Sequence, residues 1–199
     1  MRASPKPNTT YKNPDPGIYI VWLISLIDMG TQTSTGKFGT KSQRKIRLIW
    51  ELCDTETSEE DKRPLTIGQE YTWDFGEKAN LFKLVKPWIA KTPDRSFDLT
   101  ELFNHPAQVS VEHNQVGEKT YANIGSIMPL PKGSKPPKRV NDFTVFDMDD
   151  SRTNVMQFLA LPEWIRTKIL KSPEGQAKFA ADSNGTPDIN QTASTDIPF

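Results

Sequence analysis

The sequence predicts a mainly β protein: a small five-stranded barrel with one helix between its third and fourth strands. Three observations carry that expectation. The run from Gly17 to Asp28 is apolar and β-branched with no Gly or Pro in its interior, as in a strand buried on much of both faces. Residues 45–52 alternate, with Ile46, Leu48, Trp50 and Leu52 on one side and Lys45, Arg47, Ile49 and Glu51 on the other; this is the period of a half-buried strand. Leu81, Leu84, Val85 and Trp88 recur at helical spacing and define one amphipathic helix.

Taken in order, residues 1–15 are rich in Pro, Asn and Thr and read as a flexible arm. After the first strand, Met29 to Gln43 sets Gly30, Gly36 and Gly39 among Thr and Ser, the composition of a long hairpin loop. The alternating strand follows, then a charged, solvated loop over 54–63. A third strand is expected over 65–73 around Ile67, Tyr71 and Trp73, with Gly68 marking a turn or bulge. The helix is expected over 77–89, with Pro87 disturbing its last turn. Asp98 and Glu101 have the spacing of a capping pair, so 99–103 forms one short turn. Residues 107–114 and 119–128 make a closing hairpin. Five strands with a helix between the third and fourth is the order of the OB-fold, a partly open Greek-key barrel, here spanning residues 16–131.

Beyond it, 132–180 divides into three. Lys132, Lys135, Lys138 and Arg139 stand among prolines and form a stiff basic linker. Residues 141–150 are acidic and aromatic and read as solvated. Short helices are expected over 153–159 and 162–170, with Leu161, Trp164, Ile165 and Ile169 on one face. Residues 181–199 carry too little apolar surface for a core and read as a disordered tail.

The chain holds 25 Lys and Arg against 25 Asp and Glu, which at first argues against a polyanionic partner. The average hides a split: residues 1–140 hold 20 cations against 16 acids, and the rest 5 against 9. Cys53 is the only cysteine, so no internal disulfide forms and a cytoplasmic location is expected. The longest apolar run is about ten residues, half of what a membrane-spanning helix needs. Glycine patterns for nucleotide binding are missing, and His105 and His113 stand apart from any ligand-spaced partner; neither cofactor nor metal is expected. Asp147, Asp149 and Asp150 are the one cluster a nuclease metal would use, on a segment better read as solvated.

The functional signal lies between Met29 and Trp50. Lys37, Lys41, Arg44, Lys45 and Arg47 occur there with Phe38 and without a single acid. Cations on a curled strand pair neutralise a phosphate backbone, and neighbouring aromatics stack bases. Tyr71 and Trp73 on the third strand, and Lys119 and Tyr121 on the fifth, complete the candidate nucleic-acid-binding set. Trp22, Trp50 and Trp88 are assigned to the core.

Two groups of motifs point to a family. The last four residues, Asp196-Ile197-Pro198-Phe199, resemble the tip of bacterial single-stranded DNA-binding proteins. The body motifs Asp28-Met29-Gly30-Thr31-Gln32, Trp50-Glu51-Leu52, Glu77-Lys78-Ala79-Asn80-Leu81, Leu161-Pro162-Glu163-Trp164 and Ser172-Pro173-Glu174 resemble a bacteriophage group of OB-fold single-strand-binding proteins. The resemblance covers nearly the whole chain. It implies a non-catalytic protein that coats single-stranded DNA in phage replication or recombination, in the cytoplasm of the infected host. It also implies that Asp196, Ile197, Pro198 and Phe199 dock replication or recombination proteins, and it leaves homo-oligomerisation open. The alternatives are an OB-fold adaptor of a replication complex and a metal-dependent nuclease.

Overall fold

The computed structural model describes residues 13–36, 39–58 and 62–183. The chain is mainly β, a six-stranded antiparallel sheet with a few short helices. The strands are β1 (Gly17–Gly36), β2 (Gly39–Leu52), β3 (Thr66–Thr72), β4 (Ala107–Val116), β5 (Lys119–Pro129) and β6 (Thr144–Phe146). Their order is β3-β2-β1-β4-β5, with β6 pairing β1 off that path. Helices α1 (Asn80–Trp88), α2 (Val155–Ala160), α3 (Glu163–Ile169) and α4 (Pro173–Ser183) and a 3-10 turn over Leu99–Asn104 complete the elements. They fall into two compact units, one of residues up to 27 with 45–145, the other of residues 28–44 with those from 146 onward. β1 and β2 contribute to both.

In the first unit, Leu23, Leu48, Trp50, Leu81, Val85 and Leu102 are buried in one core with Val109, Val111 and Ile124. The alternation of β2 is observed as read: Ile46, Leu48, Trp50 and Leu52 all point into it. Helix α1 begins at Asn80, three residues later than expected, and retains Pro87 in its last turn, where the missing N–H removes only one bond. Asp98 caps the 3-10 turn by accepting from the Thr100 N–H at 2.8 Å. β4 and β5 pair around Gly117 (φ 61°), with a bulge between Ser110 and Val111.

The basic segment after Pro131 is not a free linker. Trp22 Nε1 donates to the Pro137 carbonyl at 2.9 Å. The Glu51 carboxylate, 1% exposed, accepts from the Val140 N–H, the Asn141 N–H and Asn141 Nδ2, each at 2.8 Å. A carboxylate this deeply buried persists because donors satisfy its lone pairs. The sequence reading missed this strap because nothing in Trp50-Glu51-Leu52 announces a partner ninety residues away.

The second unit overturns two expectations. Residues 29–36 and 39–43 continue the strands instead of forming a loop. Cross-strand hydroxyl pairs hold this arm: Thr33 with Ser42 at 2.9 Å and Thr35 with Thr40 at 3.1 Å. Thr–Thr and Thr–Ser pairs of this kind stabilise antiparallel ladders, and the glycines obscured them. The segment expected to be solvated instead buries Phe146 and Met148. Phe146 and Phe158 both pack on Phe179, the latter pair stacked at 4.5 Å. That phenylalanine sits on α4, a helix the composition did not reveal. Its start was legible: Ser172 Oγ accepts from the Gly175 N–H at 3.0 Å, a cap followed by Pro at the first helical position. On α3, Ile165 and Ile169 are buried as expected, whereas Trp164 is 51% exposed and does not share their face.

Candidate nucleic-acid interface

In the first unit, strand register places two sets of candidate residues on outward faces. Lys45 stands opposite Thr72 and Arg47 opposite Glu70. Lys45 Nζ donates to Thr72 Oγ1 at 2.7 Å. Arg47 Nη1 lies 3.8 Å from Glu70 Oε1, and its guanidinium rests on Gly68: a Cβ there would come within 2.4 Å of Nη2. Only glycine permits that approach, so the Gly68 read as a bulge signal instead seats an arginine on the backbone. On β5, Lys119 and Tyr121 pair with Val116 and Asn114, on the side opposite buried Ile124. Tyr121 is 48% exposed.

β3 and β5 approach each other, and the Ile124 N–H donates to Gln69 Oε1 at 3.1 Å. Gly68, Glu70 and Thr72 of β3 share the outward side with the cations of β2, and Lys119 and Tyr121 stand on the outward side of β5. This combination of amine, guanidinium and exposed phenol on one sheet suits a phosphate backbone and a stacked base. Glu70 and Glu112 share the face and make it less cationic than the sequence implied.

Tyr71 and Trp73 do not belong to it. Tyr71 is a member of the core and Trp73 packs against it; burial pushes the Tyr71 phenol well above its ordinary range. Ile67, Gln69 and Tyr71 share the inward side of β3, so neither aromatic of that strand faces out.

In the second unit, Lys41 is exposed on the arm, while Lys37 and Phe38 lie outside the described residues. Arg44 has a different role from the one expected. Its Nη2 and Nε grip the carboxylate of Asp28, and Nη1 donates to Asp149 Oδ2 at 2.7 Å. The Asp28 hydrogen bond, then that of Asp149, holds the guanidinium firmly protonated against the opposing effect of burial. Asp28 is 1% exposed and also accepts from the Gly30 and Met148 N–H groups at 2.9 and 3.3 Å. Arg44 is thus an internal counter-ion, a correction to its placement among phosphate contacts.

The aspartates considered for a nuclease metal are engaged elsewhere. Asp149 holds Arg44, Asp150 accepts from Arg152 through both carboxylate oxygens, and Asp147 accepts from the Asp149 N–H. Cys53 is buried, and burial first, then Glu51 and Asp54, pushes its thiol up to about 11. His113 contacts the Pro14 carbonyl at 2.9 Å. Among the described residues no helix is long and apolar enough to cross a membrane. Asp196, Ile197, Pro198 and Phe199 lie outside the described residues.

Two of the motifs that carried the resemblance pack on each other. Gly30, at φ 68°, meets Ser172 so closely that a Cβ would fall 2.2 Å from its Oγ. Glu174 accepts from the Thr31 N–H at 2.9 Å and from Thr31 Oγ1 at 2.6 Å. Gln32 Nε2 donates to the Lys168 carbonyl at 3.0 Å. Residues 28–32 and 172–174 are therefore two halves of one contact. No family model and no curated protein matches the chain.

Proposed function

We propose that this chain is a non-catalytic single-stranded DNA-binding protein built on an OB-type barrel. The observation that carries the reading is the outward side of the sheet in the first unit, which presents Lys45 and Arg47 on β2 and Lys119 and Tyr121 on β5. In this reading the three cations neutralise phosphates and the Tyr121 ring stacks a base, without hydrogen bonds to base edges. Binding is then sequence-tolerant and salt-dependent.

Two further features support the barrel. The order β3-β2-β1-β4-β5 brings its terminal strands together at the Gln69–Ile124 contact, as a closing sheet requires. Helix α1 lies between β3 and β4 in the chain and buries Leu81, Val85 and Trp88 in the core.

The phage setting and the recruitment of replication or recombination proteins rest on the resemblance. The Phe199 ring and the Ile197 side chain would be captured by an apolar pocket, with a basic rim for Asp196. Deleting Phe199 is expected to abolish pull-down of such partners and to leave DNA affinity unchanged.

The test is a fluorescence titration with oligothymidine and with duplex DNA at two salt concentrations. Tight binding to the single strand that weakens with salt is expected. Failure to bind either nucleic acid at low salt would overturn the reading and favour the adaptor.

A further inference from the structure

The strap between Lys132 and Phe143 has features its tethering role does not use. Phe143 is 54% exposed, although its neighbours Val140 and Asn141 are held by Glu51. Its ring stacks on that of Phe103 with centroids 4.8 Å apart and an interplanar angle of 24°. The Arg139 guanidinium lies over the Phe143 ring, 4.9 Å from its centroid. The result is a pile of two aromatic rings and a guanidinium. Upstream, Lys132, Lys135 and Lys138 are exposed on a stretch stiffened by Pro136 and Pro137, and the Pro137 carbonyl is fixed by Trp22. From Lys132 to Phe143 there are four cations against one acid, Asp142.

Planar guanidinium groups offer a face for a base and N–H groups for a phosphate. Lys132 lies in a turn closed by the Ser134 N–H on the Pro131 carbonyl, and Lys135 and Lys138 flank two prolines that restrict the backbone, so their exposed ammonium groups are held apart for a polyanionic chain to meet. We infer that the strap is a second contact for single-stranded nucleic acid, in which Arg139, backed by Phe143 and Phe103, stacks one base while Lys132, Lys135 and Lys138 neutralise phosphates. This inference rests on the single-strand-binding reading above and extends it to a surface remote in sequence from the β2 cations. Fastening by Glu51 and Trp22 then has a purpose: it fixes the platform before the ligand arrives, which lowers the ordering cost of binding.

The experiment uses the full chain and fluorescently labelled oligothymidine over a range of salt concentrations. Changing Lys132, Lys135 and Lys138 together to Gln touches no packed side chain. It is expected to flatten the slope of log affinity against log salt by up to about 2, at about 0.7 per phosphate contact. Arg139→Lys keeps the charge and loses the stacking plane. It is expected to lower single-strand affinity about fivefold or more, the lower end of what one stacked base contributes, with the slope unchanged. Phe143→Ala is expected to match it.

If the wild-type protein binds and both the triple variant and Arg139→Lys retain its affinity and slope, the strap inference is overturned and the sheet reading stands. If the wild-type protein does not bind, the sheet reading fails first. Loss of affinity in Phe143→Ala alone, with Arg139→Lys unaffected, would assign Phe143 to packing and overturn the stacking role.

Discussion

Arg44 and Arg47 lie three residues apart on the same strand, yet they belong to different units and have different work. Arg44 neutralises a buried aspartate and is fixed from two sides. Arg47 lies on a glycine beside Glu70, and both of these side chains are partly buried. Both came from one acid-free cationic run, and the sequence offered no reason to separate them. Charge alone therefore does not identify a ligand contact; what matters is whether a fully buried carboxylate that calls for a counter-ion lies within reach. Asp28 is such a carboxylate, and it turns Arg44 inward.

The contrast can be broken most forcefully at Arg44. Arg44→Ala leaves Asp28 buried without its counter-ion, and a broken buried pair costs about 3–5 kcal/mol. Urea denaturation is expected to show that loss, and Asp28→Asn in the same background is expected to recover part of it. Unchanged stability with a flattened salt slope would instead put Arg44 on the phosphate backbone.

Two glycines give the next comparison. Gly30→Ala places a side chain at positive φ and against Ser172, so it is expected to destabilise by about 2 kcal/mol or more. Gly68→Ala meets only the flexible end of Arg47 and is expected to cost under about 1 kcal/mol. Yet it lifts the guanidinium off β3, so single-strand affinity is expected to fall although no charge has changed. A Gly68→Ala protein with wild-type affinity would show that the seat of Arg47 is irrelevant to binding.

Arg47→Ala sharpens the point further. Stability is expected to fall by less than in Arg44→Ala, because Glu70 keeps some contact with solvent whereas Asp28 has none to speak of. The salt slope is expected to flatten by about 0.7. A large loss of stability with no change in slope would make Arg47 a second Arg44.

The smallest effect expected is that of Glu174. Burial raises its pKa, but the hydrogen bonds from Thr31 outweigh this, and the net shift is downward. A depressed carboxylate contributes stability that is present above its unfolded value and lost as pH falls through the folded one. Thr31→Val is expected to reduce the acid sensitivity of unfolding below about pH 4.5, measured as the denaturation midpoint against pH. Identical acid profiles for the two proteins would remove Glu174 from the contacts that matter.

Much of the first unit was legible because its signals are local. The alternation of β2, the spacing of Leu81, Leu84, Val85 and Trp88, and the Asp98 cap each lie within a few residues. The outward placement of Lys45, Arg47 and Tyr121 followed from the same alternation. Tyr71 was not resolved, since a short strand read alone has two faces and no label for the inner one. The second unit was poorly legible because its contacts join residues far apart in the chain. Thr31 with Glu174 and Asp28 with Met148 leave no local pattern, and the hydroxyl pairs of the arm look like loop composition until the strands are paired.

The closure of Gly30 on Ser172 has a consequence for how the protein is made. At typical rates of synthesis, residue 172 follows residue 30 out of the ribosome by about 7–30 s. Throughout that interval the arm lacks the Glu174 and Lys168 partners of Thr31 and Gln32, and its strand edges face water. An apolar hairpin left waiting this way would recruit other nascent chains. Residues 31–36 and 39–43 contain Thr, Ser, Gln, Gly and Lys and no apolar side chain, so apart from Phe38 the run offers no apolar surface to other chains before the last helices emerge. The polarity of the arm is thus a safeguard during translation as well as a surface in the finished protein.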